Sequence, residues 1–213
     1  PETVNVFLTA ACNFRCRHCY ATFKDIRASC GAFMPPDLVR GLLERISREP
    51  LPPRCPARKI TFVGGEPTLC PELAQHVAQA HALGLVTTVI TNGTRITPAY
   101  LRTFQGSLDW LGFSIDSLDH LTNRQIGRCS PSGAGLSAED YRQRILWAKE
   151  AGLRLKVNTV VNALNWREDI GDFIVETAPV RWKLLQVTSV KGQNDEGFSG
   201  MEINREQFQA FVS

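Results

Sequence analysis

The chain has 213 residues, 43% of them hydrophobic, with a formal net charge of +3 at pH 7. That is enough for one sizeable core and one domain of ordinary length. The small charge gives no basis for a nucleic-acid partner, no run approaches the roughly 20 apolar residues that span a bilayer, and no charged-then-apolar signal pattern opens the sequence.

In chain order, residues 4–9 read as a first strand and 12–19 as a cysteine-bearing loop. A helix is predicted from about 34 to 47, started by Pro35-Pro36-Asp37, with Leu38, Leu42, Leu43 and Ile46 along one face. A proline-rich stretch leads to strand two over 59–63, which runs into the turn Gly64-Gly65-Glu66-Pro67. A helix over 71–83, closed by Gly84, precedes strand three over 85–91 and the turn signal Asn92-Gly93. A short helix over 97–104 and strand four over 108–115 follow, and 116–135 reads as a long loop. Ser137 caps a helix over 138–151, with Asp140 in place to complete a near capping box. Strand five is 154–161, a helix lies near 166–176, strand six is 181–190, and a last helix starts near 204.

Strands alternating with helices imply parallel pairing and right-handed crossovers. Six such units do not close an eight-stranded barrel. The expected fold is α/β, a partial (β/α)6 TIM-like barrel forming a single domain over 1–213, with its site at the C-terminal ends of the strands.

Cys12, Cys16 and Cys19 stand at the spacing Cys-x3-Cys-x2-Cys directly after the first strand. Three closely spaced thiolates suit three irons of a [4Fe–4S] cluster, leaving one iron open to a non-protein ligand. On spacing alone two alternatives remain: a zinc site with His18 as fourth ligand, or plain buried thiols. Cys30, Cys55, Cys70 and Cys129 show no paired spacing, so reduced thiols and a cytoplasmic setting are expected.

The strands carry a second signal. Side chains alternate faces along a strand. Asn5, Lys59, Lys156, Asn158, Arg181 and Lys183 all fall on the phase opposite to the apolar residues of their strands. If the apolar phase packs on the helices, four cations converge inside the barrel. Unpaired buried cations are costly, so an anion should meet them, and several cations suit more than one phosphate. The competing reading is an ordinary solvated surface.

The cysteine spacing, with Tyr20 after the third cysteine, and Gly-Gly-Glu-Pro after one helix together resemble the radical S-adenosylmethionine (SAM) superfamily. That resemblance implies a [4Fe–4S] cluster on Cys12, Cys16 and Cys19 and SAM on its open iron. Gly64, Gly65 and Glu66 would then hold the methionyl amine. Further stretches, Ile115-Asp116-Ser117, Ile126-Gly127-Arg128, residues 156–162 and above all Pro179-Val180-Arg181-Trp182-Lys183, resemble viperin and its microbial relatives. The resemblance implies a dehydratase that takes a nucleoside triphosphate (CTP, UTP or GTP) to its 3′-deoxy-3′,4′-didehydro analogue, by removing hydrogen from ribose C4′ and losing the 3′-hydroxyl as water. The product acts in antiviral defence. Asn5, Lys59, Lys156, Asn158, Arg181 and Lys183 would bind the nucleotide, and Thr91, Asn92, Thr94, Ser114 and Asp116 would lie near SAM. An external electron donor, ferredoxin- or flavodoxin-like or a chemical reductant, is also implied, and no membrane segment. Val63 departs from the serine common at that position in the animal enzymes, and the family's C-terminal extension, source of a late hydrogen donor, is expected to lie outside this chain. Other radical SAM enzymes, such as peptide-maturing ones, and a non-catalytic iron–sulfur protein are the alternatives.

Overall fold

The structure, a computed structural model, describes residues 2–20 and 32–213. Six strands, β1 (Glu2–Thr9), β2 (Arg58–Gly64), β3 (Val86–Thr91), β4 (Trp110–Ser114), β5 (Arg154–Val161) and β6 (Arg181–Gln186), form one sheet. They lie in the order β1-β2-β3-β4-β5-β6, and every neighbouring pair is parallel. β1 and β6 do not pair with each other, so the sheet is open, as expected of six βα units.

The helices follow their sequence signals. α1 (Pro36–Arg48) has proline in its first turn, Asp37 at its positive end and Arg45 and Arg48 at its negative end. α2 (Leu73–Ala82) follows a 3₁₀ turn at Pro67–Leu69. α3 (Pro98–Arg102) is capped by Thr97, whose hydroxyl accepts from Tyr100 N. The long loop expected over 116–135 contains a helix, α4 (His120–Ile126). Asp119 caps it by accepting from Thr122 N at 2.7 Å, and Gly127, at φ +82°, ends it. Both signals stand in the sequence, but the glycines and proline beyond them obscured the short helical run. α5 (Ala138–Glu150) has the full capping box of Ser137 and Asp140. α6 (Gly171–Thr177) starts later than expected, because Asn162 and Asn165 hold the chain after β5 in turns. β6 is shorter than expected, and α7 (Asp195–Phe198) and α8 (Arg205–Val212) complete the chain.

The core lies between the sheet and its helices. Val6, Leu8, Ile60, Phe62, Val89, Leu111, Phe113, Leu155 and Val157 meet Val39, Leu43, Leu73, Val77, Tyr141 and Ile145 there. One helical phase differs from expectation: Val39 is buried, whereas Leu38 is 54% exposed. Leu43 is buried and Leu42 and Ile46 pack against the core as expected, so the departure is confined to the first turn, where Val39 takes the place of Leu38.

Arg58 alternates with Lys59 and so points to the helix side of β2, where it is buried. Its guanidinium donates to Glu2 Oε2 (2.5 Å), Glu49 O (2.8 Å), Pro50 O (2.8 Å) and Ile46 O. It thereby satisfies carbonyls at the C-terminal end of α1 that have no intrahelical partner. Arg58→Met removes the four bonds of a buried guanidinium and is expected to lower unfolding stability by about 2–3 kcal/mol. The urea midpoint measures it; an unchanged midpoint would contradict this role.

Candidate active site

The loop after β1 carries Cys12, Cys16 and Cys19 as free thiols. Its backbone is docked on two sides. Gly65 N donates to Thr9 O (2.7 Å) and Glu66 N to Ala11 O (2.8 Å), at the end of β2. Arg15 N donates to Gly127 O (3.1 Å) and Arg17 N to Ile126 O (2.9 Å), at the end of α4. Both approaches need glycine. A Cβ on Gly65 would stand 2.2 Å from Ala11 O, and one on Gly127 would stand 2.2 Å from Arg15 O.

Burial pushes the Cys16 thiol up to about 12 and raises that of Cys12 as well. Metal binding requires thiolates, so the positive charge of a bound metal centre has to drive deprotonation. Donors already face the sulfurs: Phe14 N lies 3.4 Å from Cys12 Sγ and Arg128 Nη1 lies 4.0 Å from Cys16 Sγ. Such donors are what thiolate-bound iron–sulfur clusters accept. The residues fit that group. His18 does not complete a zinc site through Nε2, which sits 3.3 Å from Asp116 Oδ2.

Beside the loop, Glu66 is 1% exposed and its carboxylate accepts four bonds. The donors are Thr68 N (3.1 Å), Thr68 Oγ1 (2.6 Å), Thr91 Oγ1 (2.6 Å) and Asn92 N (2.7 Å). Asn92 Nδ2 in turn donates to Asn13 Oδ1 (2.7 Å), and Asn13 Nδ2 donates to Thr94 Oγ1 (2.9 Å). Glu66, Thr91, Asn92 and Thr94, expected near SAM one by one, thus form a connected set that reaches the cysteine loop. Asn13 was missed; inside a cysteine motif its amide carries no separate signal.

Asp116 is the second buried hub. Its Oδ1 accepts from Val160 N (2.8 Å) and Oδ2 from Arg128 Nη1 (3.1 Å), while its carbonyl accepts from Asn165 Nδ2 (2.6 Å). Arg128 also donates to Ser114 O. Burial lowers the His18 pKa, which favours a neutral imidazole against Asp116. The carboxylate is thus engaged by protein groups from the loop, α4's end and β5. Arg128 appeared in the sequence only as part of a resemblance; burial and this pairing give it a place.

On the opposite, inward phase of the sheet, paired residues share a face. Lys156 is in register with Gly112 and Arg181, and Asn158 with Ser114 and Lys183. Asn5 is level with Thr61, and Lys59 with Thr3 and Val86. No described residue forms an ion pair with Lys59, Lys156, Arg181 or Lys183. Partial burial lowers the Lys59 pKa, and Arg181 lowers it further. Lys156 is pushed down to about 8, by burial and then by Lys183, Arg181 and Lys59. The sheet therefore brings the six inward residues to one face, below strand ends that carry the cysteine loop. From Asn5 to Thr9 is four residues, roughly 13 Å of strand.

Comparison with known proteins identifies relatives of this chain. A family model described as the radical SAM superfamily matches residues 6–174. An S-adenosylmethionine-dependent nucleotide dehydratase of Flammeovirga pacifica is 36% identical over 99% of this chain and 71% of its own. One from Lacinutrix mariniflava is 37% identical over 99% of this chain and 43% of its own. The Danio rerio protein named S-adenosylmethionine-dependent nucleotide dehydratase RSAD2 is 31% identical over 100% of this chain and 58% of its own. Among solved structures, anSMEcpe with bound AdoMet has a TM-score of 0.73 at 15% identity, covering 100% of this chain and 58% of that one. Streptococcus suis SuiB bound to S-adenosylmethionine also gives 0.73 at 15% identity, covering 100% and 47%. Those two likenesses concern the fold alone.

The depressed pKa of Lys156 has a consequence for stability. Between about 8 in the folded chain and the ordinary 10.5, the unfolded chain binds the extra proton. Stability contributed by this group therefore rises with pH across that window. Denaturation midpoints of the wild type and Lys156→Met, compared at pH 7.5 and at pH 10, should show the wild type gaining on the variant. A difference independent of pH would contradict the depressed pKa that burial and the neighbouring cations give Lys156.

Proposed function

Because this chain belongs to the radical SAM superfamily and, within it, to the S-adenosylmethionine-dependent nucleotide dehydratases, we propose that its open barrel binds a nucleoside triphosphate with the phosphates low and the ribose under the cysteine loop. The protein is an enzyme, and the family's cofactors are a [4Fe–4S] cluster and SAM. The observation that carries the substrate reading is the set of Lys59, Lys156, Arg181 and Lys183, gathered on one inward face and ion-paired with no described residue. Four cations without an ion-pair partner, three of them half-buried and Arg181 exposed, suit a polyphosphate.

Residues of this chain take the following parts. Cys12, Cys16 and Cys19 would hold the cluster, and the Gly64-Gly65-Glu66 turn would hold the methionyl amine of SAM. Thr91, Asn92, Thr94, Ser114 and Asp116 shape the wall beside it. Once bound and reduced, the cluster and SAM together supply a 5′-deoxyadenosyl group able to take hydrogen from carbon. Asn5, Asn158 and the four cations anchor the nucleotide, so that one ribose hydrogen faces that group. Anchoring decides the rate here, since misplacement by about 1 Å costs roughly 100-fold. The acceptable bases are those of CTP, UTP or GTP, the role is antiviral defence, the electron comes from an external donor, and the setting is cytoplasmic. Among the described residues no helix is long and apolar enough to cross a membrane.

Anaerobic turnover with reconstituted cluster, SAM and dithionite tests the reading against CTP, UTP, GTP and ATP in turn. One nucleotide should stimulate formation of 5′-deoxyadenosine and yield a product lighter by one water. Slow SAM cleavage that no nucleotide stimulates would overturn the substrate assignment.

A further inference from the structure

Trp110 opens β4 on the inward phase, half-buried, in register with Thr88 and Arg154. Two cations rest on its indole. Lys59 Nζ lies 4.3 Å from the ring centroid, and Arg154 Cζ lies 5.4 Å from it. Cation and indole attract through the ring quadrupole, which holds a positive group in place without neutralising it. A carboxylate at this position would cancel the charge that a phosphate needs. Neither cation has an ion-pair partner among the described residues. The next inward position of β4 is Gly112, whose Cβ would stand 2.3 Å from Ile90 Cδ1. The space above the indole is therefore filled by Ile90 of β3 instead of a β4 side chain, with Lys156 beside Gly112 in register.

Position along the strands orders the cations. The cysteine loop follows the C-terminal end of β1. Lys183 and Asn158 share one level; Lys156 and Arg181 lie two residues below, and Arg154 and Trp110 two residues lower again. Each step is roughly 7 Å along the strand. Lys59 starts two residues lower still, in register with Val86 below the Thr61–Thr88–Trp110 row, and its Nζ meets the Trp110 ring. The Trp110 level, with Lys59 beneath it, is thus the end of the cavity farthest from the cysteines.

We propose that Trp110 and Arg154, with Lys59 beneath the indole, form the floor of the phosphate end of this cavity. Arg154 contacts the terminal phosphate as a fifth cation, and Trp110 is a positioning residue that aims Lys59 and Arg154 at it, so that the floor selects a three-phosphate chain over a shorter one. This rests on the reading that a nucleoside triphosphate occupies the inward face.

The test is calorimetric titration of the reconstituted protein with inorganic tripolyphosphate and with pyrophosphate, at fixed ionic strength. Arg154→Gln should weaken tripolyphosphate binding about tenfold or more, the value of one charge-assisted contact, and pyrophosphate binding several times less. Trp110→Leu should lose in the same order, whereas Trp110→Phe and Arg154→Lys should recover part of the discrimination. Arg154 is exposed, so its variants report on binding with the denaturation midpoint unchanged. Equal losses for both anions, or no loss for either, would overturn the floor while leaving the nucleotide reading intact. Failure of the wild type to bind either anion would remove the nucleotide reading and the floor with it.

Discussion

The geometry at the C-terminal edge of the sheet hangs on the buried carboxylate of Glu66. Burial raises its pKa, and the donors from Asn92, Thr68 and Thr91 pull the other way. An unpaired ion there would cost several kcal/mol. With four donors around it, the carboxylate joins the turn after β2 to the end of β3. Asn92 carries the connection on to Asn13 and so to the cysteine loop. Asp116 does the same from the other flank, joining β4's end to β5, to Arg128 and to His18. The loop is therefore held between two buried acids, and the two glycine contacts bring its backbone against both supports. A loop held on both flanks would suit the three-thiolate site of a [4Fe–4S] cluster.

The inward face is the opposite case. There charge is gathered and left unmatched. Like charges that depress one another's pKa destabilise the empty protein, and only a ligand with compensating charge recovers that free energy. Stability held back in this way is available for binding energy, which a reaction of this kind needs for positioning rather than for bond chemistry. Among the described residues, Asp116 and Glu66 are committed to the strand ends and Glu2 to Arg58 on the helix side, while Asp109, the acid whose charge bears on Lys59, accepts from Thr87 N and Thr87 Oγ1.

Much of this was legible in the sequence, because it depends on short-range pattern. The phase of β2, β5 and β6 could be counted from alternation, and β5 was bounded to the residue. The cysteine motif and the Gly-Gly-Glu-Pro turn declare themselves by spacing. What escaped depends on residues brought together from a distance. Glu66 bonding to Thr91 requires β3 to end beside the β2 turn, 25 residues on. Asn13 and Thr94 are 81 residues apart. Trp110 looks like one more apolar strand residue until its phase is compared with Gly112 and Ser114, and Arg58 looks like a partner of Lys59 though it points the other way. Helix α4 was hidden for a local reason: it spans only seven residues, and the glycine that ends it sits in a longer glycine-bearing stretch.

The central claim is that one substrate spans the cavity, with phosphates on the cations and ribose beneath the cysteines. Isotope transfer tests it most directly. A nucleoside triphosphate deuterated throughout its ribose and another deuterated on its base are each turned over, and the 5′-deoxyadenosine is weighed by mass spectrometry. The account predicts one deuterium gained from the ribose-labelled nucleotide and none from the base-labelled one. Deuterium arriving from the base, or none arriving from the ribose under nucleotide-stimulated turnover, would contradict it.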